Sequence, residues 1–174
     1  NKWKMDLLYY KEMESFQVKY DECFNTPGCN LEKMVADNSE STKWQEQAIR
    51  LYEQILTSYP NYTRADEVLF YLGTALLEIK KPDQAVRQFM RLTKNYSQST
   101  YLPSAYIAIG EYWFERNDAY KALQQYQKAT RFKNSPKYGF ATYKLAWCYY
   151  NVNEYDKAID TMKSVVSYSQ AAAQ

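Results

Sequence analysis

Histidine is absent from the 174 residues. Imidazole is the side chain whose ordinary titration falls near neutral pH, so serine–histidine and cysteine–histidine mechanisms are excluded outright. Glycine occurs 4 times and proline 5 times, which leaves little room for a loop-rich β fold. Gly73, Gly110 and Gly139 stand too far apart to form a glycine-rich phosphate loop. No uncharged apolar run approaches the roughly 18 residues that signal a membrane span, so an anchor would have to lie outside this chain. The formal net charge is only +2, whereas backbone recognition of nucleic acid needs several clustered cations; no DNA or RNA partner is expected. With 3 cysteines, no histidine and no CxxC, the chain cannot supply a standard structural zinc site, and neither metal nor cofactor is expected. The opening at Asn1, without a charged-then-apolar leader, fits a processed secreted protein or an excised fragment equally.

What is present is aromatic. The chain holds 19 Tyr, 7 Phe and 4 Trp, more than the packing of small helices demands. Tyrosine joins apolar area to a hydroxyl, so the excess suits a recognition face or the filling of layers between helices. A second regularity organises the first. Ala48, Ala85, Ala122 and Ala158 follow one another at 37, 37 and 36 residues, each with a large side chain four positions on: Tyr52, Phe89, Tyr126, Met162. Twelve residues before the last three stand Gly73, Gly110 and Ala146. Two helices per unit, touching at small residues, satisfy this pattern. Such a unit cannot bury its apolar face alone, so neighbours stack into a solenoid.

Local signals place the helices. Met5, Tyr9, Met13, Phe16 and Tyr20 share one face of a first helix over residues 1 to about 22. Thr42 to Gln45 has capping-box spacing and starts the next helix, which ends at Tyr59-Pro60 because the residue before proline leaves the α region. Thr63 is placed to cap a third helix, and Pro82 suits the first turn of a fourth, which runs to about Asn95. Helices near 100 to 116, 118 to 133, 137 to 151 and 154 to 168 repeat the plan. Lys80, Asn117 and Asn153 occupy equivalent turns, where asparagine tolerates the left-handed backbone of a tight helix exit. Asn61-Tyr-Thr63 and Asn95-Tyr-Ser97 match a glycosylation sequon but recur at equivalent turns, as repeat grammar.

Leu69, Leu72-Gly73, Leu76, Ala85, Phe89 and Leu92, echoed by Tyr106, Ile109-Gly110, Trp113, Ala122, Tyr126 and Ala129 and by Leu145-Ala146, Tyr149, Ala158, Met162 and Val165, resemble the tetratricopeptide repeat. The resemblance covers roughly residues 44 to 168. It implies an all-α, right-handed α-solenoid of helix-turn-helix repeats. The expected organisation is an N-terminal helix and cysteine-containing loop packed on the array (1–41), repeats (42–168) and a tail (169–174). The family's proline at the end of the second helix is present at Pro60, while Ser97 and Asn134 hold the equivalent places and Pro136 is displaced by two. The spacing exceeds the family's usual period of about 34. Longer repeats of this kind are similar to those of bacterial envelope proteins of the outer-membrane assembly lipoprotein and Tol-associated coordinator type. That similarity implies a place in an envelope complex and a periplasmic location, with the cytoplasm as alternative.

Helical arithmetic places a candidate binding face. If Gly73, Gly110 and Ala146 face the partner helix, Phe70, Thr74 and Leu77, then Ile107, Glu111 and Phe114, then Tyr143, Trp147 and Tyr150 lie on the other exposed side of each first helix. Glu67, Glu78 and Glu115 would mark one end and Lys144 the other. In the resemblance these positions line a concave groove, here apolar to aromatic, suited to an extended peptide or partner helix. Phe70 and Thr74 do not match the cationic clamp with which the family's chaperone-tail binders hold a terminal carboxylate.

The function this implies is a non-catalytic protein-interaction scaffold. Two alternatives stay open: a spacer solenoid whose aromatics only pack between repeats, or a cytosolic adaptor. An enzyme built on Glu67, Glu78, Glu111 or Glu115 would need a closed pocket. Cys23 and Cys29 frame a turn at Pro27-Gly28 and read as a disulfide, which would imply an oxidising compartment; two free thiols in a cytosolic protein are the other reading. Cys148 reads as a small packing residue.

Overall fold

The computed structural model describes residues 2–27 and 39–172. Cys29, and with it the expected pairing with Cys23, lies outside the described residues. Among the described residues eight helices follow in order: α1 (Lys2–Phe24), α2 (Ser39–Ser58), α3 (Ala65–Glu78), α4 (Pro82–Asn95), α5 (Leu102–Phe114), α6 (Ala119–Ala129), α7 (Tyr138–Asn151) and α8 (Tyr155–Ala172). No strand occurs among the described residues, and no helix there is long and apolar enough to cross a membrane. The chain forms two compact units, Asn1–Tyr59 and Pro60–Gln174. In the first, α1 packs on α2, with Cys23, Ser41 and Ile49 buried. The expected boundary at 41/42 separates α2 from α1, whereas α2 clusters with α1.

The second unit is an α-solenoid of three helix pairs, each helix packing on its chain neighbours and α5 also touching α7. α3 buries Ala65, Val68, Leu69, Leu72, Gly73 and Leu76, at alternating steps of three and one that keep one face inward, with Ala75 beside them. The small residues work as the spacing requires. A Cβ on Gly73 would stand 2.6 Å from the Phe89 ring, and one on Gly110 2.8 Å from the Tyr126 ring. The glycines therefore let α3 approach α4, and α5 approach α6, closely enough to bury those two rings. The turns inside the pairs hold Lys80, Asn117 and Asn153 at φ of 60°, 59° and 62°. At each turn the backbone N–H one residue on returns to the preceding helix, as in Lys81 N to the Leu76 carbonyl at 2.8 Å and Asp118 N to the Trp113 carbonyl at 3.0 Å.

Several helix ends differ from the sequence expectation. α2 begins at Ser39, three residues before the expected Thr42. Thr63 does not cap α3: the cap position is Arg64, which makes no side-chain capping bond. α6 ends at Ala129, because Arg131 N and Phe132 N bond to the carbonyls of Lys128 and Ala129, the tighter i to i−3 pattern. α8 continues to Ala172, through most of the expected tail. Asp118 does cap α6, its carboxylate accepting from Lys121 N at 3.0 Å and pairing with the Lys121 ammonium at 2.7 Å. Those two contacts with Lys121 hold its carboxyl below the usual carboxylate range.

Candidate functional site

The first helices of the three pairs, α3, α5 and α7, border a common groove of about 370 Å3. Phe70, Thr74 and Leu77 line it from α3; Ser104, Ile107, Ala108 and Glu111 from α5; Lys137 and Phe140 from the start of α7. The spacing of three or four on each helix is what turns these side chains to one side. Phe70 is half-buried and held on several sides, with the ring of Tyr101 stacked 4.7 Å away and those of Tyr71 and Phe89 at 5.5 and 6.0 Å. Burial, then Tyr71, pushes the Tyr101 hydroxyl up to about 12. Leu77 and Phe140 remain exposed, at 41% and 47%, so the groove presents apolar surface that its own fold does not cover.

The half-buried carboxylate inside it is already satisfied. Glu111 accepts a hydrogen bond from the Tyr126 hydroxyl at 2.6 Å and pairs with the Lys144 ammonium at 2.9 Å. Burial, then this bond to Glu111, raises Tyr126 far above the ordinary tyrosine range. Lys144 sits 5.0 Å over the Phe114 ring and 5.8 Å over Phe140. Lys144 was expected to mark one end of the groove; instead it crosses from α7 to α5 and neutralises Glu111. Beside the groove, Asp83 accepts from the Tyr112 hydroxyl at 2.7 Å and pairs with Arg116 at 2.8 Å, while that guanidinium lies 3.7 Å over the Tyr112 ring. The bond from Tyr112, then Arg116, keeps Asp83 below the usual carboxylate range.

The expected face therefore divides. Phe70, Thr74, Leu77, Ile107 and Glu111 share the groove. Trp147 and Tyr150 border a separate trough of about 390 Å3 with Ala146, Ala158, Ile159 and Met162. Tyr143 joins that side through its ring, 6.3 Å from Trp147, which lies 5.8 Å from Tyr150. Phe114 packs instead against the buried cluster of Ile107, Ala122, Tyr126 and Leu145. Among the described residues no group of His, Cys, Asp and Glu is placed to hold a metal ion. Cys148 is free and buried, and burial pushes its thiol up to about 12.

A family model described as a tetratricopeptide repeat-like domain matches residues 37–174. The chain belongs to this family. No curated protein is similar enough in sequence to match. Among solved structures, the chain is similar to MamA at 27% identity and a TM-score of 0.59, over 75% of this chain and 72% of that one. It is also similar to BtubC (BKLC) from P. vanneervenii at 13% identity and a TM-score of 0.64, covering 94% of this chain and 74% of that one. YrrB, described as a TPR protein with an unusual peptide-binding site, aligns at 16% identity and a TM-score of 0.55 over 94% and 81%. At those last two identities the likeness speaks to fold alone.

Within this tetratricopeptide frame, Phe140 is the exposed aromatic groove residue that sequence reading missed, along with Ser104, Ala108 and Lys137. Its signal was there: it stands three before Tyr143 and seven before Trp147, on the face already singled out, and it is the repeat equivalent of Ser104.

Proposed function

We propose that this tetratricopeptide chain is a non-catalytic scaffold that holds a peptide or helix of a protein partner in the groove bordered by α3, α5 and α7. The observation that supports this reading is a concavity of about 370 Å3 walled by Phe70, Leu77, Ile107 and Phe140; of its two lining carboxylates, the half-buried Glu111 is already neutralised by Lys144 and Glu115 is exposed to solvent. An apolar guest can enter without stranding a buried charge. Lys144 is engaged with Glu111, and the exposed Lys137 at the start of α7 is the lining cation left to meet a guest carboxylate; along the apolar walls the guest is read through its side chains. Peptides selected from a random display library on the native protein should be rich in large apolar residues. Leu77→Asp with Phe140→Asp should abolish their binding and leave the helical circular dichroism unchanged. Undiminished binding by the double variant would overturn the reading.

A second reading concerns Trp147 and Tyr150, and one comparison between repeats favours it. Ile107 is 9% exposed, packed in a cluster with Ala141, Leu145 and Cys148 of α7, whereas its repeat equivalent Tyr143 is 40% exposed, and Trp147, Tyr150 and Ile159 on the same pair are 42%, 55% and 54% exposed. That face has the chemistry of a stacking surface, and the spacer reading applies to it better than peptide capture does. Tyr143→Ala with Trp147→Ala should leave capture of the selected peptides intact; lost capture would return these residues to the binding face.

We propose an envelope setting and a periplasmic location on two grounds, the resemblance of the long repeats to envelope proteins and the expected Cys23–Cys29 bridge, of which the second is open to direct test. A thiol titration of the unfolded, unreduced protein should find one reactive group, Cys148. Three would place the chain in the cytoplasm as an adaptor.

A further inference from the structure

The net charge of +2 conceals a segregation: residues 84 to 153 hold ten Lys and Arg against three carboxylates, Glu111, Glu115 and Asp118. Two of these three are already paired, Glu111 with Lys144 and Asp118 with Lys121. Arg131 and Lys133, both exposed, have no carboxylate within pairing distance among the described residues. They line a cleft of about 630 Å3 between the turn joining α4 to α5 and the turn joining α6 to α7, on residues separate from those of the apolar groove. Its other walls carry Ser99, Thr100, Asn134 and Ser135. The oxygens of Ser99 and Ser135 accept from the backbone N–H of Tyr101 and Lys137 at 3.2 Å each, which fixes the two turns and leaves each hydroxyl proton to donate inward or to solvent.

We infer that this cleft docks an acidic peptide segment of a partner, its side-chain carboxylates pairing with Arg131 and Lys133 and accepting from the turn hydroxyls and the Asn134 amide. The chemistry selects this occupant. Single-stranded nucleic acid asks for an open stacking surface, but Phe132, the cleft's aromatic ring, is half-buried with the Tyr106 ring 6.4 Å away. A lipid surface asks for protruding apolar side chains to insert, and the apolar residues of this cleft are two prolines, Pro103 and Pro136, and the half-buried Phe132. Arginine's planar fork suits a carboxylate bidentately, and the adjacent lysine adds a point charge that tolerates variation in the guest.

The test is fluorescence anisotropy of a labelled oligoglutamate peptide with the whole chain. Binding is expected to weaken as salt rises from about 0.1 to about 1 M, and Arg131→Gln with Lys133→Gln is expected to weaken it about tenfold or more. Arg131→Lys with Lys133→Arg should retain it, and Leu77→Asp in the groove should leave it unchanged. Lys133→Glu alone reads the same loss should the double variant fold poorly. No binding by the native chain, equal binding by the neutralised variants, or displacement of the peptide by a tighter-binding single-stranded oligonucleotide would overturn the proposal.

Discussion

A methyl group added at Gly73 would lie 2.6 Å from a Phe89 ring that is 2% exposed. Alanine has the better helix propensity by about 1 kcal/mol, yet overpacking a filled core costs about 1–3 kcal/mol and wins. Gly73→Ala and Gly110→Ala should therefore lower the urea midpoint of unfolding; a raised midpoint would mean that the rings are free to shift. The third pair shows the converse. Ala146 takes the glycine's place where the facing side chain is Met162, long and unbranched enough to bend around a Cβ. Backbone strain gives a second prediction at this scale. Lys80 holds φ 60°, a conformation that a lysine pays about 1 kcal/mol to adopt and asparagine tolerates. Lys80→Asn should raise stability by up to about 1 kcal/mol, read from the same urea curves, and Asn117→Ala should lower it. These positions were legible in the sequence because three repeats state the same requirement three times.

At the scale of elements, the α5, α6 and α7 layer carries a buried proton store. Tyr126 and Cys148, both 0% exposed, keep their protons far longer than they would in the unfolded chain. Above pH 9, the ordinary value of a thiol, the unfolded state binds fewer protons than the folded one, so stability falls as pH rises. This contribution is fully present below pH 9 and drains away as pH climbs toward about 12. Thermal melts at about pH 8 and about pH 11 should show the loss, and Cys148→Ala should make it shallower; an unchanged slope would remove Cys148 from the account. Helix ends show where sequence reading stops. Pro82, Asn117 and Asn153 fix their turns through covalent geometry or a local backbone preference, and these were legible. Thr63 failed as a cap because Arg64 holds the cap position without a side-chain bond, and α6 stopped early because its exit tightens into i to i−3 turns. Neither outcome is written in residue type alone.

Across the molecule, repetition made the solenoid readable before any contact was seen: a period of 36 or 37, small residues opposite large ones, and asparagines at the turns. The groove was half readable. Helical arithmetic found Phe70, Thr74, Leu77, Ile107 and Glu111, since those follow from the rotation of single helices. It could not find the pairing of Glu111 with Lys144, 33 residues away and on another helix, nor the separation of Trp147 and Tyr150 into their own trough. Both depend on how one repeat is rotated against the next.

On the proposed function, the apolar trough of α3, α5 and α7 receives a guest chain. Amide and methyl chemical-shift mapping with a library-selected peptide tests it most directly. The predicted result is that shifts concentrate at Thr74, Leu77, Ile107 and Phe140 and leave Ile159 and Val166 still. Shifts confined to Trp147, Tyr150 and Ile159, with the groove silent, would contradict it.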